Sequence, residues 1–276
     1  MSVFEYFRVY EIIVLLYGLS LVCYFYDFVK RDRKANHMAF WLLLLVWGLQ
    51  TIFLFTKIYI TGALPVFNII EGLYFYTWLI LLVSIVINYF FKMDLIVFVI
   101  NVIGFSMMLG FLVSSHMQQE MVLSERFISE LLLSHIVLAF IAYILFTLSF
   151  AFSVLYLLQF HLLKRKKALQ LLKRIGNLGQ LENLSFILIV LGIPMLSISL
   201  MIGISWAYST DDLFYWLDAK TLGSFAVIVI YSCILYMKTI KKKVGRSIAI
   251  FNSIAFLFLL INYVISSVFS NFHFIY

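Results

Sequence analysis

Apolar residues run along this chain in blocks of roughly 20, the length a helix needs to cross the hydrocarbon core of a bilayer. The blocks predict spans over residues 10–29, 39–57, 72–91, 95–114, 133–160, 184–207, 221–238 and 248–270. In lipid a backbone amide finds no water, so blocks of this kind form helices, whose bonds are internal, and not open strands. The period-two alternation of a membrane barrel is missing. The predicted fold is therefore all-α: a polytopic membrane protein of about eight transmembrane helices, making a single membrane domain over residues 1–276.

The polar stretches between blocks are short. Outer segment 115–132 sets Glu120, Glu125 and Glu130 among Met121, Phe127, Ile128 and Leu131, a pattern for a helix lying on the outer face. Inner segment 161–182 mixes basic residues with Leu163, Leu169, Leu172 and Ile175, which reads as a basic amphipathic helix at the membrane interface. The first block lacks a basic leading region and is followed by basic residues instead of a small-residue cleavage site, so it reads as a span and not a cleavable signal.

Composition agrees: 64% of the residues are apolar and 12% charged, against about 45–50% and about 25% in soluble domains. The formal charge of +7 is a topology signal. If the chain zigzags, one side receives Lys30, Arg31, Arg33 and Lys34; Lys92; Lys164, Arg165, Lys166, Lys167, Lys173 and Arg174; and Lys238, Lys241, Lys242, Lys243 and Arg246. Only Arg8, Lys57, Arg126 and Lys220 fall on the other. Positive loops stay cytoplasmic, which puts both termini outside (N-out/C-out) in a bacterial plasma membrane. The basic excess thus points to the lipid bilayer, and to anionic lipid second, and not to nucleic acid.

Chemistry-bearing residues are few. Cys23 and Cys233 fall within spans and read as packing residues. There is no His-Glu-x-x-His helix, no glycine-rich phosphate loop and no serine or cysteine partnered with a base, so the chain does not read as an enzyme. His37, His116 and His161 sit at span ends. His135 and His273 belong to the outer ends of spans five and eight, at one depth. Between them runs segment 206–220, with Trp206, Tyr208, Phe214, Tyr215 and Trp216. Two neutral imidazoles can take the axial positions of a haem iron, and an apolar macrocycle needs an aromatic surface to lie on. The plainer alternative is an interfacial aromatic belt with two boundary histidines.

Several patches carry a family resemblance. Gly62, Pro65, Asn68 and Glu71 make a G-x-x-P-x-x-N-x-x-E pattern leading into span three. Leu181-Glu182-Asn183-Leu184-Ser185 precedes Gly192, Pro194, Gly203, Trp206 and Ala207. Asp218-Ala219-Lys220 follows, then Asn262-Tyr263 and His273. In this order, from about residue 47 to 276, the chain resembles the haem-handling cytochrome c assembly proteins of the CcsA and CcmC type, whose hallmark is a tryptophan-rich outer loop flanked by two histidines. The resemblance implies haem b held non-covalently, with His135 and His273 on the iron. It also makes Trp206, Tyr215, Trp216 and Asp218 loop contacts, and Lys220, Lys57, Glu71 and Arg126 candidates for the propionates. Lys57 and Glu71 can instead pair with each other. Asp27 reads as a boundary residue.

The departures bear on function. Trp216 is shifted by one position, Ala219 replaces the proline of the family's D-P-K, Gln50 stands where a membrane-embedded histidine is expected, and Lys57 where an arginine is usual. The part of the family closest to this pattern is linked to haem biosynthesis, as a negative effector of the amount of glutamyl-tRNA reductase, whose pathway then supplies a cytoplasmic partner. The alternatives are a cytochrome c assembly component presenting haem to apocytochrome, and a small-molecule transporter. Orientation is the expectation tested most directly. Reporter fusions after residues 34, 92, 170 and 243 should read cytoplasmic, and fusions after 62, 120, 212 and 276 external; one reversed pair in mid-chain would mean a miscounted span.

Overall fold

The computed structural model describes residues 3–66, 69–91, 93–115, 130–164, 177–209 and 219–269. Their regular structure is helical: α1 Val3–Lys30, α2 Arg33–Thr61, α3 Ile69–Phe91, α4 Asp94–Ser115, α5 Glu130–Lys164, α6 Leu178–Ser209, α7 Ala219–Thr239 and α8 Arg246–Phe269. All eight are long and apolar enough to cross a membrane, so the chain is a multi-pass membrane protein. Most run past the predicted spans, because a helix continues through its interfacial residues. Segment 206–220 is the clearest difference. Trp206 stands in the last turn of α6, not in a loop, and residues 210–218 lie outside the described residues. Of the two expected interfacial helices, 116–129 and 165–176 also lie outside them; 161–164 finish α5 and 130–132 open it.

Helices α1–α4 form one compact unit and α5–α8 a second. In the first, neutral polar groups tie the helices together. Tyr17 donates to Asn101 Oδ1 at 2.8 Å, and Asn101 Nδ2 donates to Ser84 Oγ at 2.8 Å, joining α1, α4 and α3. The α1–α2 turn is closed by charge. Asp32 caps α2 by accepting from the Lys34 amide at 2.9 Å. Asp27 is more than a boundary residue: it is buried and accepts from Asn36 Nδ2 at 3.0 Å. Gly62, at φ 69°, ends α2 in the left-handed region that a side chain resists.

In the second unit the face of α6 turned inward is Leu181, Ser185, Ile189, Gly192, Leu196, Ser199, Gly203 and Ala207. Five of these are small, which lets α5 approach closely. A Cβ on Gly192 would stand 2.7 Å from Phe146 of α5, whose ring stacks on Tyr231 of α7 at 3.9 Å. Nearer the inner side, Asn252 Nδ2 of α8 donates to Ser149 and Ser153 at 2.8 Å and to Ser185 at 3.0 Å. Ser149 and Ser185 also bond each other's carbonyls. At the inner end Lys238 pairs with Glu182 at 3.2 Å and lies 4.5 Å from the centre of the Phe186 ring.

The Asn252 cluster joins three helices where no water competes. Hydrogen bonds between membrane helices contribute about 0.6 kcal/mol each, so Asn252→Ala, which removes the amide and leaves a void, should cost about 1–3 kcal/mol. Unfolding in detergent should therefore shift to lower temperature, while Ser106→Ala, which removes an exposed hydroxyl bonded to the Val102 carbonyl of its own helix, should shift it less.

Candidate functional site

His135 lies in the second turn of α5, half-buried against α6. Its Nδ1 is 2.6 Å from the carbonyl oxygen of Ser199. A carbonyl only accepts, so Nδ1 carries the hydrogen, and in the neutral ring Nε2 carries the lone pair. The Ser199 hydroxyl reaches the same place: its Oγ is 3.1 Å from Nδ1 and donates to the His135 carbonyl at 2.7 Å. Imidazoles that ligate a metal characteristically hold their second nitrogen in this manner.

Depth follows from helix geometry. Between Glu182, in the inner ion pair, and Ser199, α6 rises about 25 Å, close to the hydrocarbon thickness of about 30 Å. His135 therefore belongs to the end of α5 opposite Lys164, near the outer boundary. Trp206 follows Ser199 and Gly203 at four- and three-residue spacing, so it continues their face of α6 one turn further out, and it too is half-buried.

Helix α8 packs alongside α5. Phe150 and Phe256 stack at 4.4 Å, and Tyr143 meets Tyr263 edge-on at 6.0 Å. Gly223 of α7 lies directly against Asn262 of α8. The chain leaving α8 at Phe269 leads to His273, which, with Tyr215, Trp216, Asp218, Arg126 and His116, lies outside the described residues. Lys220 falls in the first turn of α7, with its side chain outside the described part. His37, exposed beside Trp41, and His161, exposed at the inner end of α5, are boundary residues.

Within the first unit Lys57 donates to Glu71 at 2.8 Å, with side chains 44% and 11% exposed. The two predicted propionate candidates are thus brought together. Gln50 is fully buried: Nε2 is 3.5 Å from the Met108 sulfur, and Tyr74 donates to the Gln50 backbone carbonyl at 3.0 Å. Among the described residues no three His, Cys, Asp or Glu side chains gather as a metal cage. An iron already held by a porphyrin, needing one or two protein nitrogens, fits His135 better than a bare ion does.

Ser199, the partner of the candidate ligand, is the residue that sequence reading missed. A signal was present, because Ser185, Gly192 and Ser199 recur at seven-residue spacing, the mark of a close helix seam. For the outer pair in the first unit, a double-mutant cycle on Lys57→Ala and Glu71→Ala should give a coupling below about 1 kcal/mol, since Lys57 is partly solvated.

The profile of the family described as Cytochrome C assembly protein matches residues 66–273. Protein HemX of Bacillus subtilis (strain 168) is 46% identical over 266 residues, covering 96% of each chain. Protein HemX of Brevibacillus brevis is 40% identical over 256 residues, covering 92% of this chain and 93% of its own. With the family profile spanning the Glu71 helix, the His135–Ser199 contact and the end that carries His273, and with relatives matched along nearly their whole length, the chain belongs to the cytochrome c assembly protein family.

Proposed function

We propose that the protein binds haem b non-covalently at the outer membrane face, with His135 and His273 as axial ligands, and that it restrains haem biosynthesis by lowering the amount of glutamyl-tRNA reductase. The observation that carries the first half is the Nδ1–H bond from His135 to the Ser199 carbonyl, which makes Nε2 the ligating nitrogen. The packing of α5 beside α8 favours the same reading, since α8 is the helix that precedes His273 in the sequence. Haem, once bound, supplies an iron that accepts two neutral imidazole nitrogens. The residues would do the rest: Ser199 holds the ring, Trp206 would offer an aromatic face, and Lys220 would supply positive charge for a propionate. The regulatory half rests on likeness to the HemX proteins and on the resemblance above.

A cytochrome c assembly role is the second reading, favoured by the family profile itself. Gln50 weighs against it, because a buried amide against the Met108 sulfur is a poor iron ligand where a haem-passing protein needs an imidazole. Ion pairs among the described residues stand at helix ends, which gives the transporter reading no support.

Protein purified from haem-replete cells should show a low-spin, six-coordinate Soret spectrum. His135→Ala and His273→Ala should each give a five-coordinate, high-spin or haem-depleted protein, while His37→Ala and His161→Ala change nothing. Haem titration should quench tryptophan emission, and Trp216→Ala should weaken retention. A double His135→Ala/His273→Ala protein with a wild-type Soret band would falsify the site. For the regulatory half, deleting the gene should raise glutamyl-tRNA reductase on immunoblots; an unchanged amount, or efficient haem transfer from the purified protein to apocytochrome, would favour the assembly reading.

A further inference from the structure

In an α-helix the carbonyl of residue i accepts from the amide of residue i+4, and the side chain of residue i+4 sits beside that oxygen. In α6 the carbonyl bonded by the His135 ring is Ser199, and the residue four positions on is Gly203. A Cβ built on Gly203 would stand 2.6 Å from His135 Nδ1, 2.8 Å from Cε1 and 3.1 Å from Cγ. The ring thus occupies the space that any other residue at 203 would fill. Gly203 is inside a helix, where glycine costs about 0.8–1 kcal/mol relative to alanine, and its backbone has no left-handed angle that would otherwise call for glycine. Its absent side chain uncovers the second lone pair of the Ser199 oxygen. Ser199 in turn donates across the seam to the His135 carbonyl at 2.7 Å, fixing the two helices at that level.

We infer that Gly203 and Ser199 are positioning residues for His135: Gly203 opens a helix carbonyl to the ring, and Ser199 supplies that carbonyl and clamps the turn carrying the ring, so that Nδ1 is always the protonated nitrogen. The partner is a backbone oxygen, which does not titrate in the physiological range, so its acceptor role at Nδ1 is the same across that range. This rests on the haem reading for its purpose, but the tautomer itself belongs to the haem-free protein.

The first test is therefore made without haem. Nitrogen-15 NMR of histidine-labelled protein in detergent should give an Nδ1-protonated ring for His135, assigned by its loss in His135→Ala. Gly203→Ala should convert that signal to a mixture of tautomers. In haem titration Gly203→Ala should bind about tenfold to a hundredfold more weakly, the usual cost of losing a metal ligand's outer partner, with a shift toward the high-spin spectrum. Ser199→Ala keeps the carbonyl and should fall between it and wild type, with Ser199→Thr restoring the loss. Gly192→Ala is the steric control: it forces a Cβ to 2.7 Å from Phe146 on the same helix seam, and should lower thermal stability without moving the spectrum.

Should Gly203→Ala fold poorly, the pair Gly203→Ala/His135→Ala decides, because removing the ring makes room for the methyl. The double variant should then be at least as stable as His135→Ala alone. A double variant less stable than His135→Ala, or a Gly203→Ala protein that keeps the pure Nδ1–H tautomer, overturns the inference and leaves the haem reading standing. If wild type and His135→Ala bind haem alike, the haem reading fails, and the NMR result still decides the positioning.

Discussion

Everything in the second unit depends on how closely α5 and α6 approach. Lipid tails are as apolar as leucine, so two membrane helices gain nothing by hiding apolar surface from lipid. They associate through close packing and through hydrogen bonds. Small residues at 185, 192, 199, 203 and 207 flatten one face of α6. On that face Ser185 reaches the α5 backbone, Phe146 lies over Gly192, and the His135 ring lies over Gly203. One seam therefore builds both the inner hydroxyl cluster and the outer imidazole. A larger residue at one of these positions would crowd the α5 group that it faces, Phe146 at Gly192 or the His135 ring at Gly203.

The same economy governs where charge is allowed. The groups that tie helices together in the membrane interior are neutral: Tyr17, Asn101 and Ser84 in one unit, Asn252 and its three serines in the other. Full charges stand toward the faces and are compensated there. Lys57 meets Glu71 at the outer end of α2, and Lys238 meets Glu182 at the inner end of α7. Lys238 is also placed over Phe186, where the face of the ring stabilises a cation held partly out of water. An ionised side chain at mid-bilayer would cost several kilocalories per mole, whereas one at the interface keeps part of its hydration. This sorting lets loop charge report orientation.

The helices were legible because each must carry enough apolar surface to satisfy lipid on its own, and that requirement is written locally. Their ends were less so. Trp206, Ala207, Tyr208 and Ser209 belong equally well to an interfacial loop or to a helix emerging from the membrane, and α6 takes the second course. The candidate ligand His135 was readable from its type and depth, and Gly203 from the family pattern. Ser199 was not. A lone serine in an apolar helix looks like any small packing residue, and its role comes from a histidine 64 positions away. Asp27 was misjudged for a similar reason. It stands just before the exposed basic residues Lys30, Arg31, Arg33 and Lys34, while the residue that donates to its carboxylate, Asn36, comes from the start of the next helix.

Whether such a protein holds haem or passes it on turns on what a second station would require. A haem that moves across or along a membrane needs a further imidazole near its path, free to exchange with the iron. At the position where the family resemblance expects that residue, Gln50 is fully buried, with its side-chain nitrogen against the Met108 sulfur and its backbone carbonyl accepting from Tyr74. It acts as packing between α2, α3 and α4, and extracting it would break contacts in all three helices. A neutral amide also competes poorly with imidazole for iron. On the other side, His135 is held by a carbonyl and a hydroxyl on one helix, an arrangement that loses a strong bond if the ring swings away. A ring held at His135 by one helix, and a buried amide at position 50 where an imidazole is expected, are what the proposed reading asks of a site that retains haem.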